Sequence, residues 1–137
     1  MSDVVTRYHE AMVNKSADDL AALYAESAVH EIPFMVPGFP PRFEGREAIR
    51  AAYGTMWNAS PVVVERMEEV VVHLGADREV VIVEQTAVGR VGPDGPRFRL
   101  PSLLILRIKD GLGGLGDGLI LHCRDYLDGL AVTRLRP

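Results

Sequence analysis

The chain has 137 residues, with a hydrophobic share of 47%, a charged share of 25% and a formal net charge of -4. That length suits one domain with one core (the whole of 1–137), and the composition excludes disorder. The acidic balance, with Lys and Arg only scattered, argues against extended nucleic-acid binding. No stretch of 18 apolar residues exists to span a membrane. Cys123 is the only cysteine, so no internal disulfide can form. The start, MSDVVTRYHEAM, lacks the apolar run of a secretory leader. A cytoplasmic protein is expected.

Val5, Tyr8 and Met12 make an apolar stripe that predicts a helix over Val4 to Asn14, with Ser2 or Asp3 as its cap. Ser16 opens a second helix, with Asp18 and Asp19 in its first turn and Leu20, Leu23 and Tyr24 on its apolar side. Ala28 to Ile32 reads as a short strand ended by Pro33. The proline-rich segment Phe34 to Phe43 reads as an ordered apolar flap. After the turn at Gly45, Arg46 to Asn58 form a third helix, with Ile49, Tyr53, Met56 and Trp57 near one face.

Four strands follow, over Val62 to Leu74, Arg78 to Val91, Arg97 to Lys109 and Leu119 to Leu130, separated by turn residues. Helices first and a meander afterwards predict an α+β fold, with helices on one face of a curved sheet. Asp110 to Gly118 carries five glycines in nine residues. A strand follows it rather than a helix, so it reads as a long mobile hairpin tip and not as a phosphate loop.

Alternation along the last strand puts Leu119, Leu121, Cys123, Asp125 and Leu127 on one face, and Ile120, His122, Arg124, Tyr126 and Asp128 on the other. Asp125 is the one charge in an apolar row. Burial would raise its pKa, which suits a general acid or base, although a structural carboxylate bonded to a helix end or a tyrosine fits the same pattern. Glu31 shares a side with Val29. If that side faces the interior, two carboxylates would meet there and separate in pKa. His30 and His122 then fall on the opposite faces.

Gln85, between Val83 and Ala87, is placed to orient a water or a substrate oxygen, or to pair with backbone. Tyr8, Met12, Tyr53 and Trp57 are core or pocket wall, and a buried tyrosine hydroxyl needs a partner. The histidines show no metal-site spacing, and no H-E-x-x-H or CxxC is present.

Four segments, VVTRYHEAM, DDLAALYAESAVHEIP, FEGREAIRAAYGTMW and HCRDYLD, occur in the order and spacing of the SnoaL-like branch of the NTF2-like superfamily, which the chain resembles over nearly its whole length. The resemblance implies a cone with an apolar pocket between a curved, mostly antiparallel sheet and three helices. It also implies relatives as different as polyketide cyclases, a steroid isomerase, epoxide hydrolases and non-catalytic binding proteins.

Asp125 matches the terminal-strand aspartate of the epoxide hydrolases, whose arginine and second aspartate fall near Gln85 and Ala87. A water-holding position falls near Glu31 by spacing. Tyr8 matches the oxyanion tyrosine of the steroid isomerase, whose base and second aspartate fall near Ile32 and Leu103. Asp125 is also compatible with the acid/base aspartate of the cyclases.

Two readings stand at this point. One is a cofactor-free acid/base enzyme acting on a hydrophobic cyclic molecule. Asp125, Glu31 and Gln85 would carry its chemistry, and Tyr8, Met12, Phe34, Tyr53, Trp57, Leu103 and Cys123 would line the site. The other is a non-catalytic ligand-binding or interaction module. A homodimer is expected in either case, with no metal, nucleic-acid or membrane partner.

Overall fold

The structure, a computed structural model, describes residues 3–109 and 118–135. The expectation for Asp110 to Gly118 lies outside them for all but Gly118.

Helix α1 spans Val4–Asn14. The Asp3 carboxylate accepts from the Thr6 amide at its start, and Lys15 closes it in the left-handed conformation. Helix α2, Ala17–Ala21, is capped by Ser16 and is a single turn and a half. The chain then enters strand β1, Tyr24–Glu31, four residues before the predicted start at Ala28. Tyr24 is therefore a strand residue and not part of a helical face.

The end of the predicted flap is also a strand. β2, Arg42–Glu44, pairs antiparallel with β1 and sets Phe43 opposite His30. Gly45 follows at φ 93, a left-handed value that a Cβ disfavours, and turns the chain into α3, Arg46–Ala59.

Strands β3 (Val62–Leu74), β4 (Val80–Val91), β5 (Arg97–Ile108) and β6 (Ile120–Leu127) form the predicted meander. The sheet order is β2-β1-β6-β5-β4-β3, antiparallel throughout except for β1 beside β6. The last strand stops at Leu127. Asp128 accepts from the amides of Leu130 and Ala131 and starts helix α4, Gly129–Arg134. The predicted strand to Leu130 missed this helix because a capping aspartate after an apolar strand reads equally well as one more strand residue.

Val4, Val5, Tyr8 and Ala11 from α1, Leu20 from α2, and Ile49 and Tyr53 from α3 pack against Val81, Val83, Leu104, Leu106, Ile108, Ile120 and Cys123 from the sheet. The concave face of the sheet and the helices thus share one core. Ile120, predicted on the outward row, is fully buried, because the β5–β6 register shifts between Arg107 and Ile108.

The proline-rich segment is fastened to the C-terminal helix. A Cβ built on Gly129 would collide with the Met35 carbonyl oxygen. Gly129→Ala is therefore expected to destabilise the fold by about 1–3 kcal/mol, the range for forced overpacking, despite the better helix propensity of alanine. The urea midpoint is the measurement.

Candidate active site

Cross-strand register sorts the concave wall into rows whose side chains point the same way. His30, Cys123, Leu106 and Val81 form one row, Asp125, Leu104 and Val83 the next, and Leu127, Ser102 and Gln85 a third. Tyr8 from α1 and Tyr53 from α3 are buried opposite them.

Asp125 is only 5% exposed, and its Oδ1 atom is buried with no hydrogen-bond partner. Desolvation raises its pKa from 3.8 to about 7. A structural carboxylate would be tied to a donor on that oxygen, so the bonded alternative does not hold at Oδ1.

Glu31 is not beside it. Ala28, His30 and Ile32 are the buried residues of that segment, and Glu31 lies on the other face. There it is hydrogen-bonded to His122 and sits 3.3 Å from Arg42. The bond to His122, with the charges of His122, Arg42 and Arg124, holds its pKa low. The expectation of two carboxylates facing one interior is corrected: the buried face of the sheet carries Asp125 and His30, and the outer face carries Glu31 and His122. Burying an imidazole, which can stay neutral near pH 7, costs less than burying a carboxylate, and this difference selects the face.

His30 bridges two tyrosines. Its Nδ1 lies 2.8 Å from the Tyr24 hydroxyl and its Nε2 lies 2.9 Å from the Tyr53 hydroxyl. Burial lowers its pKa to about 4, so the ring is neutral at pH 7. The Phe43 ring completes the surround at 6.1 Å. The Tyr8 hydroxyl is buried without a well-aligned hydrogen bond, with the Tyr24 and Tyr53 hydroxyls and the Cys123 thiol within its reach. Burial and then Asp125 hold the Cys123 thiol well above its usual range, so it remains protonated.

Gln85 is buried in the third row with both ends of its amide occupied. Its Oε1 meets His9 Nε2 at 2.6 Å, and its Nε2 donates to Ser102 Oγ at 3.2 Å. Both of these bonds are to side chains and not to backbone.

Two predicted lining residues are misplaced. Phe34 is 60% exposed and packs edge-on against Tyr126, which points away from Asp125. Leu103 pairs with Tyr126 and Glu84 on that same outer face, and Leu104 takes the inward position. Met12 is half-buried against the core, and Trp57 packs edge-on against Tyr53 at 5.0 Å.

A cleft of about 400 Å³ opens elsewhere, between the end of α1 and α3, lined by Asn14, Lys15, Asp18, Trp57 and Asn58 among others. None of its lining residues is on the sheet, and its polar walls do not suit the chemistry of Asp125. Among the described residues, no three His, Cys, Asp or Glu side chains are placed to hold a metal.

The comparison that decides the family covers most of the chain, because residues 5–112 match the SnoaL-like domain model. The chain belongs to the SnoaL-like domain family, within the NTF2-like superfamily. This SnoaL-like protein is 26% identical over 131 residues to the uncharacterized protein YesE of Bacillus subtilis, covering 95% of this chain and 82% of that one. Among solved structures, it superposes on a candidate isomerase from Bacillus subtilis with TM-score 0.81 and 25% identity, covering 96% of this chain and 88% of the other. A candidate polyketide cyclase from Pseudomonas putida shares the fold at TM-score 0.70 and 20% identity, with 98% and 96% covered.

Proposed function

We propose that this SnoaL-like protein is a proton-transfer enzyme for a small hydrophobic molecule carrying an enolisable carbonyl, with Asp125 as the group that moves the proton. The observation that carries this reading is a buried carboxyl with one orphaned oxygen, whose burial pushes its pKa up to about 7. Near that pH the group accepts a proton from carbon and returns it with comparable ease.

In the forward step, the Asp125 carboxylate takes a proton from the carbon next to the carbonyl. The released C–H electron pair forms the enolate C=C bond, and the carbonyl π pair moves to oxygen. The buried Tyr8 hydroxyl, which has no well-aligned hydrogen bond, supports the oxygen charge as a donor. Asp125 then returns the proton to a second carbon of the conjugated system, and the net result is an isomerisation.

The outward placement of Glu31 favours this chemistry over epoxide opening, which needs an acid together with a base that activates water. The likeness to a candidate isomerase supports the same choice.

The test is to incubate the protein with cyclic β,γ-unsaturated ketones in D2O. Conjugation is expected, with deuterium entering at the γ-carbon to the extent that the Asp125 carboxyl exchanges with D2O before it delivers its proton, and with the rate rising with pH through about 7. Unlabelled recovery of every ketone, with hydration of an epoxide by the same preparation, would overturn the reading.

A further inference from the structure

Two residues occupy positions that their own backbone preferences disfavour, and both line the cleft between the end of α1 and α3. Lys15 closes α1 in the left-handed conformation, at φ 50, a position that glycine fills without strain. Gly54 lies inside α3, where glycine is the least helix-favouring residue after proline. The packing does not require that glycine. A Cβ built on it would meet only the Ala17 Cβ, at 3.7 Å, which is an ordinary contact. Alanine would fit there and strengthen the helix.

Each choice instead shapes the cleft. Gly54 leaves its floor without a side chain, and Trp57 and Asn58, three and four residues further on, share that side of α3. Lys15 supplies an ammonium group. One of its three N–H groups donates to the Ser60 carbonyl at 2.9 Å, which holds the head at the cleft and leaves two donors. Local preferences set aside twice around one concavity point to a function there rather than to folding.

The lining sets the chemistry of the ligand. About 400 Å³ suits a small molecule, and walls that are polar rather than apolar call for a polar one. A cation would meet Lys15. An anion would meet Asp18, because Arg50 serves both Asp18 and Glu47 and leaves one negative charge beside the cleft. A neutral molecule avoids both. The Asn14 and Asn58 amides each donate and accept, as hydroxyl groups do, and the Trp57 indole offers a flat apolar surface for a ring.

We propose that this cleft binds a neutral sugar ring, seated against Trp57 over Gly54 and hydrogen-bonded by Lys15, Asn14 and Asn58. The site shares no residue with the Asp125 region, so its test is independent of the proton-transfer reading.

Trp57 is the only tryptophan of the chain, so its emission reads the cleft directly. The purified protein is titrated with D-glucose, D-galactose and D-mannose as free sugars, and with their methyl glycosides, which stand for units of a chain. At least one is expected to shift the emission saturably, with a Kd of about 1 mM for so small a ligand. Gly54→Leu fills the floor and abolishes the shift. Lys15→Gly keeps the left-handed turn, removes the ammonium and weakens binding about tenfold, the worth of one charge-assisted hydrogen bond. Gly54→Ala raises the urea midpoint, because the fold gains a better helix former. The proposal is overturned if none of these sugars moves the emission, or if gluconate, glucosamine or zwitterionic alanine alone does so. A shift that survives in Gly54→Leu, or a midpoint lowered by Gly54→Ala, overturns it as well. Should Gly54→Leu not fold, undiminished affinity in Lys15→Gly has the same force.

Discussion

Asp125→Asn is expected to lower kcat for the deuterium-incorporating reaction by about 10²–10⁴-fold, the usual contribution of a positioned acid/base group. Asparagine has nearly the shape of the protonated carboxyl, so substrate binding should change little, and the loss should fall on kcat rather than KM. The variant should fold normally, because the replaced side chain has no partner on Oδ1 to lose. Glu31→Gln is the natural comparison. Glu31 is bonded to His122 and Arg42 on the far face, and the change should leave turnover as it was. Equal losses in the two variants would mean that Asp125 acts through general folding effects and not by moving a proton.

The fold was largely legible because its period signals are long. Strands of 12 or 13 residues, β3 to β5, announce themselves by alternation and by the turns between them. Asp125 stood out for the same reason, as one charge in an otherwise apolar row.

Short elements were not legible in this way. β1 offered two rows of similar apolarity, Ala28-His30-Ile32 and Val29-Glu31-Pro33, and periodicity has no means of choosing between them. What separates them is the cost of burial, lower for an imidazole that can lose its charge and bridge two hydroxyls than for a carboxylate. Ranking the rows by their most costly member would have turned His30 inward. The Tyr24 end of the bridge was beyond any such rule. It depends on a helix stopping at Ala21, and short apolar stretches are ambiguous between helix and strand. Leu103 and Leu104 illustrate a third limit. Adjacent leucines carry no information about register, which here is set by hydrogen bonding to β4 and β6.

The same buried carboxyl should also dominate how stability depends on pH. The folded state binds the Asp125 proton up to about pH 7, whereas an unfolded chain releases it near 3.8. Between those values the native state holds more protons than the unfolded state, so this group lowers stability as pH rises. Its penalty is absent below pH 3.8 and complete above about pH 7. Three pKa units correspond to about 4 kcal/mol at full effect.

His9 and His30 act with the opposite sign. Burial lowers both below 6.5, so they cost stability as pH falls, and the wild-type curve mixes the two trends. Subtracting the curve of Asp125→Asn, which fixes the neutral form, removes the histidine contribution. The stability advantage of the variant is expected to be smallest at pH 4, to grow steadily toward pH 7, and to level off at about 4 kcal/mol above its pH 4 value. Urea unfolding across that range reads it directly. A difference that stays flat with pH would show that Asp125 titrates alike in the folded and unfolded chains, and a carboxyl that does so is not held in an apolar interior.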